Sequence, residues 1–463
     1  MKMIKTIILT IYKPIFLAFF ITGSIFCFGQ ANTTIYGKII DKKNESITIT
    51  TDNFSFYKRS TVTETMVDEN GNFCFKFYLK EPTKLSLFNS QFYIKPHDSV
   101  YINVQENSWE ILGSNADNYR YSLKFDSLTS NLEFKYYRYD FKCSMNNYLD
   151  SVKINRNNYL NLLESLNSGG KISEDFYAYA LSQIEYNFYN QLFFPIISKN
   201  YSIGLLPESY TSILDQIKLK NDKLVKEREY GLAAINLIVY KNNNSNFSKL
   251  ELIMNNSNGL TRELLLTDYA YKLMNNYTSK QNLQYSNIFK QIKKEISDPE
   301  FMQYFKVAEK KLEKYENMFS IEVLNSELID TSGKKITFKE LLELSRGKGL
   351  VLDFWASWCG PCLHGIPFIN ELSSKYKGEI DFVFISLDKT TEDWQIGLNK
   401  IAMSGNHYLI KDNFKSALAR YLDILTIPRY VIINNDGKLE NMDARSPSEG
   451  IWLDKQIEGL LDK

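Results

Sequence analysis

The sequence lacks an excess of either charge, any long apolar run after its first 30 residues, and all but five cysteines. Its 55 basic and 54 acidic residues give a formal net charge of +1. Removing a leader that holds Lys2, Lys5 and Lys13 makes the remainder slightly negative. That balance offers no electrostatic reason for a nucleic-acid partner or an anionic membrane surface. After residue 30, no segment reaches the ~20 consecutive apolar residues that a membrane-spanning helix needs. No fixed-period repeat is found, so a solenoid is not indicated.

What the chain does have is 463 residues, 44% of them hydrophobic and 14% aromatic, enough for a globular protein of two to four domains. Residues 1–29 read as a secretory signal. Three lysines precede the apolar stretch Ile15 to Phe28, and Cys27-Phe28-Gly29 places small residues where cleavage before Gln30 requires them. An uncleaved anchor would need a longer run. Lipid attachment at Cys27 would need a small residue before it, where Phe26 stands. Cleavage and export are therefore expected, with an N-terminal anchor as the alternative. Of the remaining cysteines, Cys74 and Cys143 read as unreactive thiols, although an oxidising compartment would let them pair.

Residues 30–112 alternate β-branched and aromatic residues between Gly, Asn and Asp punctuation, as in Phe73-Cys74-Phe75-Lys76-Phe77. This predicts an all-β N-terminal module, an antiparallel sandwich or barrel, with Cys74 facing away from its aromatic stripe. From residue 113 to 318 the period becomes helical. Ser173-Glu174-Asp175 opens one helix with Phe176, Ala180, Ile184 and Phe188 on a stripe, and Asp298-Pro299 opens another. The many Tyr and Phe residues here read as core.

Residues 319–463 carry the chemistry. Glu327 to Ile336 reads as a hairpin, and Thr337 with Glu340 as a capping box. The apolar run Gly349 to Trp355 is a buried strand that leads into Trp358-Cys359-Gly360-Pro361-Cys362 and then a helix. Further strands at Ile380 to Leu387 and Tyr430 to Ile433, with a helix at Thr391 to Ala402 between them, predict an α/β domain around a largely parallel sheet. A Cys-x-x-Cys ring is too tight to staple a fold, so its use lies in opening and closing. A structural metal site would need a second ligand pair, which is not present near it; no metal or other cofactor is called for.

Leu352-Asp353-Phe354-Trp355-Ala356-Ser357-Trp358-Cys359-Gly360-Pro361-Cys362 resembles the active-site signature of the thioredoxin superfamily. The preceding hairpin, Ser386-Leu387-Asp388 with Trp394, and Ile427-Pro428-Arg429-Tyr430 resemble its TlpA- and ResA-like extracytoplasmic branch. Residues 30 to 115 look, more loosely, like the β-rich module found before such domains in exported Bacteroidetes proteins. The resemblance implies a thioredoxin fold in residues 319–463 and thiol–disulfide exchange. Cys359 would attack and Cys362 resolve; a helix N-terminus favours the thiolate and lowers a cysteine pKa from ~8.5 to roughly 3.5–7.5. It also implies a cis Ile427–Pro428 bond opposite the cysteines, with Trp358, Ile427 and Pro428 contacting the substrate chain.

Asp353 lies within an apolar strand, where burial should raise its pKa and suit it to carry a proton to and from Cys362. The alternative is an Asp hydrogen-bonded to backbone. In the TlpA- and ResA-like branch an acid commonly stands three positions after the second cysteine; here that position is Gly365, which leaves the role to Asp353. Arg429 could favour the thiolate or be solvated, and His364 reads as solvated. Ala356 stands where a peroxiredoxin has threonine.

The Gly-Pro pair between the cysteines resembles reducing thioredoxins, whose potential is about −270 mV. The expectation is a periplasmic reductant of protein disulfides, fed by an unidentified membrane or periplasmic electron donor. An oxidase or isomerase, or an envelope binding module with an accessory redox domain, are the alternatives.

Overall fold

The computed structural model of the chain describes residues 31–53, 58–88, 90–105, 108–131, 144–197, 203–219, 221–243, 248–275, 282–400 and 405–461. The leader reading and Cys143 lie outside them. The chain divides into two compact units, and no described helix is long and apolar enough to cross a membrane.

The first unit is built on two four-stranded sheets. One orders Asn72–Phe77, Thr33–Ile39, Ser99–Gln105 and Ser108–Gly113; the other orders Lys58–Met66, Ser46–Asn53, Thr83–Leu87 and Ser90–Ile94. Alternation decides which side chains point inward. In Asn72–Phe77, Phe73, Phe75 and Phe77 are buried and Cys74 is exposed. Both sheets contribute to one core that includes Ile35, Ile49, Phe75, Phe92 and Ile102, which makes this a sandwich. One pairing departs from the antiparallel expectation: Thr33–Ile39 runs parallel to Ser99–Gln105. Alternation records which face is buried but not strand direction, so the sequence pattern is blind to this.

The second unit contains most of the helices and the C-terminal α/β fold. The helix Pro299–Glu316 starts as its sequence predicts, with Asp298 Oδ1 accepting from the amides of Glu300 and Phe301. The buried Glu263 accepts from the amides of Ser297 and Asp298 at 2.9 and 2.7 Å. At its other end this helix joins the α/β fold: the Met442 amide donates to the Tyr315 hydroxyl at 3.2 Å, and Lys314 pairs with Asp423 at 2.7 Å.

A seven-stranded sheet centres the α/β fold, in the order Lys335–Thr337, Glu327–Asp330, Asn406–Ile410, Ile380–Ser386, Gly349–Trp355, Arg429–Ile433, Leu439–Ala444. The hairpin and the Thr337–Glu340 capping box stand where the sequence places them. The sheet is mixed rather than largely parallel. Among the described residues, the parallel pairings are those of Ile380–Ser386 with its two neighbours, Gly349–Trp355 and Asn406–Ile410. Arg429–Ile433 runs antiparallel beside Gly349–Trp355 and turns through Asn434 to Gly437 into Leu439–Ala444. A strand buried on both faces reads as a continuous apolar run in either direction, so the hydrophobic pattern could not distinguish them.

Candidate active site

All seven residues of Gly349–Trp355 are buried, because sheet neighbours flank the strand and helices cover it. The strand ends at Trp355, and the helix Gly360–Lys375 begins five residues later with Cys359 as its N-cap. The Cys359 Sγ accepts from the Cys362 amide at 3.2 Å, and Leu363 N donates to the Cys359 carbonyl at 3.1 Å. Cys359 and Cys362 form a disulfide, their Cα atoms 5.3 Å apart. Pro361 occupies the first turn, where a missing N–H leaves no helical bond unmade. Both cysteines are buried, whereas the adjoining Trp358 is 62% exposed. When the pair is reduced, the free amides of this helix end face the Cys359 sulfur and favour its negative charge.

Asp353 sits two residues from the strand's end, buried on all sides, and its Oδ1 has no hydrogen-bond partner among the described residues. Loss of hydration pushes its pKa up to about 8. Directly across the antiparallel pairing stands Tyr430, whose buried hydroxyl is held well above the ordinary tyrosine range by desolvation and by the Asp353 charge.

A second carboxylate fixes the loop. Asp388, buried just after Ile380–Ser386, accepts from the Ser357 amide at 3.0 Å, the Ser357 hydroxyl at 2.7 Å and the Ser386 hydroxyl at 2.7 Å. It thereby pins the residue before Trp358 to the neighbouring strand. The helix Thr391–Lys400 seals the same loop through Gly397, where an added Cβ would lie 2.7 Å from the Ser357 Cβ. Trp394 of this helix is fully buried in the core that also holds Cys359 and Cys362.

The Ile427–Pro428 peptide is cis, and Ile427 packs on the core containing both cysteines. Two depressions lie on this face. Trp358 lines one of about 400 Å³ with Leu387 and Phe414, and Ile427 and Pro428 line one of about 1190 Å³. The residues named from sequence therefore divide: Cys359, Cys362 and Ile427 share one core, Asp353 is buried opposite Tyr430 of that core, and Trp358 and Pro428 border different depressions. Arg429 is committed to Asp443, 3.0 Å away. His364 is exposed, its ring 6.0 Å from that of Phe368.

Sequence reasoning gave no role to Tyr430 and saw Asp388 only as part of a resemblance. Tyr430 carried a signal in register: it lies two residues after Pro428 in a strand that had to pair with a buried neighbour. For Asp388, an acid flanked by the apolar run Phe382 to Leu387 was the available sign.

Residues 347–439 match a family model described as thioredoxin-like. The thiol-disulfide oxidoreductase ResA of Bacillus thuringiensis (strain Al Hakam) is 31% identical over 142 residues, covering 31% of this chain and 76% of that protein. The ResA of Bacillus subtilis (strain 168) is 28% identical over 138 residues, covering 28% and 69%. Among solved structures, a thiol-disulfide oxidoreductase from Bacteroides fragilis is 27% identical and covers 29% of this chain and 95% of its own, with a TM-score of 0.26. By the family match and its relationship to the ResA proteins, the chain belongs to the thioredoxin-like thiol–disulfide oxidoreductases.

Proposed function

We propose that this protein is an extracytoplasmic reductant of protein disulfides. Residues 1–29 serve as its export signal, 30–112 and 113–318 as its front domains, and 319–463 as its redox domain. The observation that carries the reading is the pairing of a helix-capping Cys359 with a desolvated carboxyl, Asp353, on the strand that delivers it.

In the forward reaction the Cys359 thiolate attacks one sulfur of the substrate disulfide. The substrate's sulfur–sulfur bond breaks, a mixed disulfide forms, and the released substrate sulfur takes up a proton. Cys362 then gives its proton to the Asp353 carboxylate and attacks the Cys359 sulfur; the Cys359–substrate bond breaks, and the departing substrate thiolate takes up a proton to leave as the second thiol. Two electrons leave the dithiol, and the Cys359–Cys362 disulfide remains. A membrane or periplasmic dithiol donor regenerates the reduced pair. Trp358, Ile427 and Pro428 hold the substrate chain, and the Gly360-Pro361 dipeptide supports the reducing direction, as in thioredoxins near −270 mV.

Insulin-disulfide reduction by the full chain, compared with Cys359→Ser, is the direct test. The wild type should reduce insulin and the variant should not; equal background rates would sink the reading.

A further inference from the structure

The depression of about 1190 Å³ beside Pro428 is only half made by the thioredoxin-like fold. Its other wall comes from two helices of the same compact unit, Lys249–Asn256 and Gly259–Asn275, through Lys249, Tyr269, Lys272 and Leu273. We propose that this cavity receives an acidic side chain of the substrate polypeptide, close in sequence to its reactive cysteine, with Lys249 and Arg445 as counter-ions. The proposal rests on the reading of the protein as a reductant of protein disulfides and names the class of disulfide it selects.

The charges around the cavity divide into satisfied and unsatisfied groups. Lys272 is held by the buried Asp268 at 2.9 Å, and Asp443 by Arg429 at 3.0 Å. Lys249 has no ion-pair partner among the described residues; its Nζ lies over the Tyr269 ring, 5.3 Å from the centroid. Burial and the nearby Lys272 charge hold its pKa below the ordinary lysine range, although Asp268 acts in the opposite sense. A partly desolvated ammonium whose nearby Asp268 is already paired with Lys272 is the group that gains most from a further carboxylate. Arg445 likewise has no carboxylate partner among the described residues and lies over the Trp452 ring, 5.1 Å from its centroid. The exposed Glu449 is the lining's remaining anion.

Volume and composition point to a polypeptide rather than a small metabolite. Small-molecule pockets usually enclose about 300–1,000 Å³. This open depression exceeds that and offers the half-exposed Trp452 and the apolar Ile427 beside the two cations. A chain that pairs with the backbone before Pro428 passes directly over it.

The experiment uses the reduced full-length protein and synthetic peptides that each hold one intramolecular disulfide. The peptides differ only in a Glu, Gln or Lys placed at each of the three positions on either side of one cysteine. Glu at one or more positions should raise kcat/KM about tenfold over Lys, and the gain should shrink between 50 mM and 500 mM salt. Lys249→Glu should abolish or invert that preference, and the exposed Arg445→Glu should weaken it. Neither should alter the rate with hydroxyethyl disulfide, a neutral substrate too small to reach the cavity. Equal rates for Glu and Lys at every position, with hydroxyethyl disulfide reduced normally, would overturn the acidic-substrate proposal alone. Failure of the wild type to reduce hydroxyethyl disulfide would overturn the underlying oxidoreductant reading and this proposal with it.

Discussion

Asp353 and Tyr430 are directly opposed residues of two antiparallel strands, and both carry polar groups into the core that borders the cysteines. The Tyr430 hydroxyl also lies 3.1 Å from the place a Cβ on Gly365 would occupy. Gly365 is where the TlpA- and ResA-like branch commonly has an acid. Here the phenol of a facing strand closes off that volume, so the glycine and the tyrosine form one arrangement.

That arrangement can be tested by introducing the side chain it excludes. Gly365→Glu should crowd Tyr430 and destabilise the fold by about 1–3 kcal/mol, the usual range for overpacking. Adding Tyr430→Phe, which removes the crowded oxygen, should restore part of the loss. A double-mutant cycle in urea reads the coupling; strictly additive effects would mean that the two positions do not compete for space.

Asp353 should make stability depend on pH in a defined direction. Unfolded, its carboxyl loses its proton near 3.8; folded, it retains it to about 8. Between those values the folded state binds more protons, so stability falls as pH rises. Asp353→Asn removes that slope. The variant should gain on wild type progressively from pH 4 to pH 8, with a ceiling of ~4 kcal/mol at pH 7 from 1.36 kcal/mol per pKa unit. Thermal unfolding at four pH values checks it, and a constant difference would contradict the raised pKa.

The same substitution should slow resolution of the mixed disulfide, on the order of 10²-fold for loss of a proton acceptor. In wild type the resolution rate should climb as pH passes through about 8; in Asp353→Asn that inflection should disappear. Single-turnover quenching by acid alkylation separates this step from the initial attack by Cys359, which should change far less.

Asp388 should matter without touching the sulfurs. Asp388→Ala strands the half-buried Ser357 amide and hydroxyl and the buried Ser386 hydroxyl, at about 1–3 kcal/mol for an unmade buried bond. The loop before Cys359 should loosen, seen as faster amide exchange at Ser357 and Trp358 and a lower kcat/KM for insulin. Asp388→Asn, which keeps one acceptor oxygen, should recover part of both. Unchanged exchange would show that the helix Thr391–Lys400 holds the loop unaided.

Replacing the resolving cysteine gives the clearest chemical readout. Cys362→Ser leaves Cys359 able to attack but unable to be released, so mixed disulfides with substrate proteins should accumulate and disappear on reduction. Mass spectrometry of the trapped species identifies the partners. A Cys359→Ser, Cys362→Ser double variant that traps the same proteins would refute attack by Cys359.

The sequence by itself determined which residues could do redox chemistry and which local elements would carry them. Cys359-Gly360-Pro361-Cys362 after an apolar strand specified a helix-capping dithiol, because strand, cap and first turn are short-range matters of period and backbone geometry. The same holds for the Thr337–Glu340 box, the Asp298-Pro299 helix start and the outward-facing Cys74. Asp353 was legible because a carboxyl inside an apolar run is conspicuous wherever the run ends up.

Only the tertiary structure decided which distant residues meet. Strand direction leaves no mark in hydrophobic alternation, so the antiparallel placement of Arg429–Ile433, and with it the Asp353–Tyr430 pair, had to come from the assembled sheet. Asp388 and Ser357 are 31 residues apart and meet because parallel strands bring their ends together. Lys249 and Pro428 line one cavity although 179 positions separate them, because the helices around Tyr269 pack into the same unit as the redox fold. Propensity and pattern act over a few residues; these relationships arise when apolar faces far apart in sequence are buried against one another.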